Sequence, residues 1–411
     1  MAILVTACSS AEGDSLTATG GVVRVLGSWE GPELASFRAM VAPFEHRTGI
    51  RVEYTATRDL EGVLSRGIAA GVAPDVAGLP GPGLMPQLVA SGALKDLRGV
   101  IDLGRYKAET APAFVDLGTV DGKLAGVFIK ATVKGLFWYN PDVYDLGTPA
   151  SWSDLQQSAR DATSGTMRPW CVGLESGAAS GWPGTDWVED FLLRQSGAAA
   201  YDAWVAGTLP WTSPEVRRAF ESFGQIVANG AVFGASSGAL RTYFADAGRP
   251  LFTDPPGCLF LHQGSFMSSF LSDVPGDPAP GYDFLPFPDI DPRYSGSLIG
   301  AGDLMGMIRD TPPAREFVRY LVSAEAQSIW VRRGGALSGN ARVRDYPDPL
   351  AAREARLLTT ARVFRFDASD SMPEPMNRAF WQAVLDYAAD QSSLRSILEH
   401  LDAVRLVTYR K

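Results

Sequence analysis

Apolar and polar positions alternate along the chain in two rhythms, one of strands and one of helices. Val22 to Leu26 (VVRVL) reads as a first strand. It ends in Gly27-Ser28-Trp29-Glu30-Gly31-Pro32, a turn that carries an indole and a carboxylate. Leu34, Phe37, Met40, Val41 and Phe44 then recur at three-to-four spacing, predicting one apolar helix face that stops at Thr48-Gly49. Ile50 to Tyr54 alternates as a second strand, a helix is predicted from about Asp59 to Ala70, and Pro74 to Leu79 holds a third strand. This order predicts a parallel sheet with right-handed crossovers. In such sheets ligands sit outside the carboxyl ends of the strands. That rule places Trp29, Glu30 and the 79–83 turn at a candidate site.

Further on, Lys123 to Tyr139 is a long strand-rich stretch that reads as a passage between two lobes. Ser151 has the position of a helix cap. The middle third holds a glycine- and tryptophan-rich loop, Glu175 to Trp187, and a strand with a loop, Thr253 to Phe266. Pro313 to Trp330 reads as one helix, and Phe380 to Tyr387 as part of another. No internal repeat or low-complexity block is present.

With 411 residues the chain has room for two to three domains at roughly 150 residues each. Its 37 Lys and Arg against 46 Asp and Glu give a net charge of −9, and the cations are scattered. That balance argues against nucleic acid as a partner. With only His46, His262 and His400, and only Cys8, Cys171 and Cys258, a zinc site is not expected, and no cofactor or other metal is indicated. Gly234-Ala235-Ser236-Ser237-Gly238 matches a nucleophile elbow, but lacks the strong preceding strand that the chemistry requires. Aromatic side chains are what the composition offers instead: 10 Trp, 12 Tyr and 20 Phe.

The first residues, MAILVTACSS, resemble the end of a bacterial lipoprotein signal with Cys8 as the lipidated residue. The apolar run is shorter than the roughly 7–15 residues of a signal peptide. Residues 1–21 therefore read as a truncated signal followed by a small, polar tether. No later stretch reaches the ~18 apolar residues of a membrane span, so lipid alone would hold the chain to the membrane. In that oxidising location Cys171 and Cys258, each in a short strand-like run, are a candidate disulfide; two buried free thiols are the alternative.

Several stretches together carry a family resemblance. VAPFEHRTGI, APDVAGLP, DGKLAGVFIK, GLFWYNPDVY, TPASWSDL, YLVSAEAQSIW and MPEPMNRAFW resemble the bacterial extracellular solute-binding proteins of carbohydrate ABC importers. GLESGAASGWPGTDW, FTDPPGCLFLHQGSF, GAGDL and FRFDASDSMPEPM resemble the α-glucoside-binding branch of that family. The resemblance runs from about Val22 to Tyr409. It implies an α/β, maltose-binding-protein-like (type II) fold of two discontinuous lobes, with a hinge and a ligand cleft between them. One lobe would comprise 20–131 plus 299–342, the other 132–298 plus 343–411. It also implies a monomer that delivers sugar to permease subunits from the outer face of the cytoplasmic membrane.

Sugars present apolar C–H faces and rings of hydroxyls, so their sites combine aromatic platforms with charged or bidentate hydrogen-bonding groups. The candidates at the implied cleft are Trp29, Glu30, Asp75, Glu175, Trp182, Asp186, Trp187, Gln263, Ser265, Phe266, Gly302, Asp303, Arg365, Asp367 and Trp381. Lys130 and Lys134 join them in a lysine-poor chain, as ligand contacts or as hinge ion pairs. His262 reads as a core or rim histidine. The rival class is a glycoside hydrolase drawing two carboxylates from Glu175, Asp186, Glu189 and Asp190. The helical spacing of the last three places Glu189 and Asp190 on a solvated face.

Overall fold

The computed structural model describes residues 20–410 except 146, 229, 273 and 275–280. Cys8 and most of the tether lie outside the described residues. β1 (Gly21–Gly27), β2 (Ile50–Ala56) and β3 (Val76–Leu79) alternate with helices Gly31–Thr48 and Leu60–Ala69, as the apolar spacing predicts. Next come a small hairpin of β4 (Thr119–Val120) and β5 (Lys123–Leu124), then β6 (Val127–Val133) and β7 (Leu136–Tyr139). The remaining strands are β8 (Arg168–Cys171), β9 (Cys258–Gln263), β10 (Asp283–Pro286), β11 (Ser297–Met307) and β12 (Val363–Phe366).

Two sheets organise these strands. The larger has the order β12-β11-β3-β1-β2 with β6 also paired to β11, and the smaller the order β10-β7-β9-β8. β1 is parallel to both β2 and β3. β11 is the long strand that ties the halves together. Its first residues, Ser297 to Gly300, pair with β12, while Leu304 to Met307 pair with β3. β6 runs antiparallel beside it from Val133 back to Val127. A register shift between Asp303 and Leu304 leaves Asp303 opposite Lys130, a bulge of the kind that re-aims a side chain.

Three apolar clusters hold the layers. One packs Phe37, Phe44 and Trp330 against β1–β3. A second packs Trp187, Phe191, Phe220 and Phe380 among the later helices, and a third lies under the paired β6 and β11. Cys171 and Cys258, on the neighbouring strands β8 and β9, are joined in a disulfide.

Three local expectations change. The stretch 313–330 forms two helices, Pro312–Leu321 and Ala324–Arg333, because Ser323 caps the second through the Ala326 N–H. The 175–187 loop becomes helical at Trp182, the start of helix Trp182–Val205. Gly181 permits that start: its φ is +106°, and a Cβ there would lie 2.3 Å from the Trp381 carbonyl oxygen. Glu189 and Asp190 are fully buried, not solvated. Their helix packs between helices Pro214–Val227 and Glu374–Ala389, and from Pro183 to Arg194 every residue is buried.

Candidate functional site

A cavity of about 210 Å³ opens where the carboxyl ends of β1–β3 face the later helices. Its rear wall is the hinge pair of strands, through Lys130, Thr132, Lys134, Ala301, Gly302 and Asp303. Trp29, Trp182, Phe244, Phe266 and Trp381 supply aromatic surface. Eight carboxylates line it against four cations: Glu33, Asp59, Glu61, Asp186, Asp303, Asp367, Asp370 and Glu374 against Arg58, Lys130, Lys134 and Arg378.

The two lysines anchor its polar wall. Lys130 Nζ lies 2.5 Å from Glu33 Oε1 and 3.0 Å from Asp303 Oδ2. It stands over the rings of Trp330 and Phe266, 5.1 and 5.9 Å from their centroids. Lys134 Nζ lies 2.8 Å from Asp186 Oδ2 and 3.0 Å from Asp367 Oδ2, and 4.9 Å over Trp182. Burial pulls the pKa of both lysines down, but the adjacent carboxylates outweigh it and hold both above the usual lysine value.

The carboxylates around Lys134 outnumber it. Burial pushes Asp186 up to about 8, Lys134 opposing and Asp367 adding to the rise. Asp367 stays low: burial raises it, but Lys134 and donation from Asp370 N–H and Ser369 Oγ pull it below the ordinary range. Glu189, beneath them, accepts from the Ala368 and Ser369 amides at 2.7 and 3.0 Å and is raised by burial and by Asp367. Among the described residues Asp186, Glu189 and Asp367 are the one acidic group close enough to share a cation, within 4.8 Å. The Lys134 ammonium already sits against two of them.

Polar atoms without protein partners concentrate here. Trp29 Nε1, Arg58 Nε, Asn377 Oδ1 and Trp381 Nε1 are buried with no hydrogen bond, and all four residues line the cavity. Such groups carry a desolvation cost of about 1–3 kcal/mol each until something satisfies them.

Of the sequence candidates, the fold brings Trp29, Trp182, Asp186, Phe266, Gly302, Asp303, Asp367, Trp381 and both lysines to this wall. The others go elsewhere. Asp75 precedes β3, so it lies at the strand end opposite the cavity, accepting from Arg24 N–H at 2.8 Å and facing Arg309. Trp187 is core, stacked on His262 with centroids 4.0 Å apart. His262 is core too, held by Asp190, and burial lowers its pKa. Gln263 accepts from the Gly264 amide, and Ser265 bonds Thr132 Oγ1 and the Val133 amide behind the hinge strand. Arg365 pairs outward with Asp202 at 2.7 Å. Glu30 and Glu175 stand outside the cavity lining, the first accepting from Tyr243 Oη at 3.1 Å and the second from the Gly177 amide.

Arg58, Asp59 and Glu61 were missed, although they follow β2 just as Trp29 follows β1, so the strand-end rule applied to them equally. Asp370, Asn377 and Arg378 lie inside stretches that carried the resemblance, but nothing local separates them from neighbours that face away.

A family model described as bacterial extracellular solute-binding protein matches residues 39–357. The chain belongs to that family. It is 36% identical over 387 residues to the osmoprotective compounds-binding protein GgtB of Synechocystis sp., covering 92% of this chain and 91% of the relative. To the alpha-glucosides-binding periplasmic protein AglE of Rhizobium meliloti it is 35% identical over 393 residues, 91% and 85% covered. Among solved structures it is similar to a chitin oligosaccharide binding protein, with a TM-score of 0.81, 17% identity, and 95% and 99% coverage. A Thermus thermophilus maltotriose binding protein gives 0.72 at 16% identity, with 93% and 98% covered. The fold is thus the maltose-binding-protein-like one that the resemblance implied. The hydrolase alternative finds no support among these relatives. Among the described residues no helix is long and apolar enough to cross a membrane.

Proposed function

We propose that this solute-binding protein captures an α-glucoside or a related mono- or oligosaccharide and delivers it unchanged to an ABC-type importer. The observation that carries this reading is the pairing, among the residues that line one cavity, of aromatic rings with polar atoms that no protein group satisfies. A sugar offers C–H faces to the first and hydroxyls to the second. Lining carboxylates that stay ionised accept from hydroxyls in the same way. The name of one similar relative, the alpha-glucosides-binding protein AglE, supports a glycoside.

In this reading 20–131 plus 299–342 form one lobe and 132–298 plus 343–411 the other, flexing where β6 and β11 cross. Solute that touches both lobes shifts the population to the closed state. Cys8 carries a lipid anchor, the protein acts as a monomer, and permease subunits receive the solute.

Isothermal calorimetry with trehalose, maltose, sucrose and glucose tests this. At least one binds at one-to-one stoichiometry and is recovered intact, and Trp182→Ala weakens it by about tenfold or more. Hydrolysis of the sugar, or silence across the panel, ends the reading.

A further inference from the structure

The cavity mouth is bridged at four places by turns that follow the parallel strands. After β3, the Gly83 amide donates to the Asp370 carbonyl oxygen at 2.8 Å. A Cβ on Gly83 would stand 2.2 Å from the Met372 carbonyl oxygen, so this approach requires glycine. After β2, Glu61 forms an ion pair with Arg378, which also binds Glu374. Arg58 donates to Ser176 Oγ and stacks over Phe244 at 5.1 Å. After β1, Glu30 accepts from Tyr243. The hinge strands close the rear. The space behind this ring, about 210 Å³, is below the roughly 300–1,000 Å³ of ordinary small-molecule pockets.

We propose that this ring of contacts restricts the solute to one or two sugar rings, and that Glu61 and Arg378 set that length limit. The proposal rests on the sugar-binding reading above. Glu61 and Arg378 both line the cavity, and their side chains are 23% and 51% exposed, so this bridge is made of two side chains in contact with solvent. A longer chain has to leave through such a place. Elsewhere on the ring the bridge is backbone, as at Gly83, or is backed by the Phe244 ring.

The test compares each disaccharide with its own extension: maltose with maltotetraose, sucrose with stachyose, trehalose with maltosyltrehalose. Calorimetry is run on the wild type, Arg378→Ala and Glu61→Ala, with circular dichroism confirming that each variant is folded. For whichever disaccharide binds, the wild type prefers it to its extension by at least about tenfold. Binding of glucose alone supports the limit equally. Either variant narrows the gap to below about threefold by gaining affinity for the longer sugar. Equal wild-type affinity for short and long sugars overturns the length limit and leaves sugar binding standing. A gap unchanged in both variants removes the role of Glu61 and Arg378. If no sugar binds, the underlying reading fails and takes the limit with it.

Discussion

Lys130 and Lys134 sit four residues apart, and each is gripped by two carboxylates from distant parts of the chain. The two sites look alike and are electrostatically different. Around Lys130 the Glu33 and Asp303 side chains keep 11% and 14% exposure, and no further buried carboxylate stands behind them in the Lys130 ion pairs. Around Lys134 the Asp186 and Asp367 side chains fall to 3% and 1%, and Glu189 and Asp370 crowd the same space. Burial raises Asp186, Glu189 and Asp370. One wall of the cavity is thus an ion triad touched by solvent, while the other is an acidic cluster with one cation among four carboxylates, in which Asp186, Glu189 and Asp367 are buried and Asp370 is partly exposed. The two halves hold their carboxyl groups differently: Glu33 and Asp303 stay partly solvated, while Asp186, Glu189 and Asp370 are pushed towards their protonated forms.

Removing the cation is the strongest way to break this comparison. Lys134→Met leaves Asp186 and Asp367 without their cation, and loss of one partner from a buried pair costs about 3–5 kcal/mol. The expected loss lies at or above the top of that range. Lys130→Met is expected at its lower end, because water still reaches Glu33 and Asp303. Urea unfolding of the two variants at neutral pH measures the difference, and equal losses would erase the contrast.

How much of this was legible beforehand follows from what each signal measures. Apolar periodicity found β1, β2, β3 and the helices between them, because those elements bury one face and expose the other. It failed for the first half of helix Trp182–Val205, where Pro183 to Arg194 are buried all round and show no polar stripe. Trp182 and Trp187 consequently looked equivalent, although one lines the cavity and the other packs on His262. The two lysines stood out only by their rarity. Their partners could not be read at all: Glu33 lies 97 residues from Lys130, and Asp186 lies 52 from Lys134. Long-range register decides such contacts, and β6 and β11 set it only in the folded chain. The strand-end rule was general enough for Arg58, Asp59 and Glu61, but aromatic side chains drew attention to β1 instead.

Protonation offers a smaller and sharper test. Asp186 is raised to about 8 in the folded protein, against about 3.9 in an unfolded chain. Between those values the folded state keeps a proton that the unfolded state has released. Stability from this group is therefore full at acid pH and falls as pH rises through the window. Asp186→Asn removes that dependence and flattens the stability-against-pH curve from about pH 4 to 8, by up to about 1.4 kcal/mol per pH unit. Denaturant unfolding of the wild type and Asp186→Asn across a pH series checks this, and an unchanged slope in the variant would remove the role of Asp186.

The smallest effect isolates burial from crowding. Glu354 lies on helix Pro349–Thr360, which packs on β6 and β11, and it is 2% exposed with Oε1 unpartnered. Burial raises its pKa well above the usual carboxylate value, Asp348 adds to the rise and Arg353 opposes it. No lysine grips it. The sign is the same as for Asp186: the folded protein holds a proton above the unfolded pKa, and stability declines as pH rises. Glu354→Gln keeps the shape, removes the titration, and is expected to stabilise the protein at neutral pH by about 1 kcal/mol. Thermal unfolding at neutral and at acid pH checks this, since the gain disappears once Glu354 is protonated in both states. If the gain from Glu354→Gln between acid and neutral pH matches that from Asp186→Asn over the same interval, burial dominates the rise of both carboxyls. A clearly smaller gain assigns the excess at Asp186 to its neighbours Asp367 and Asp190.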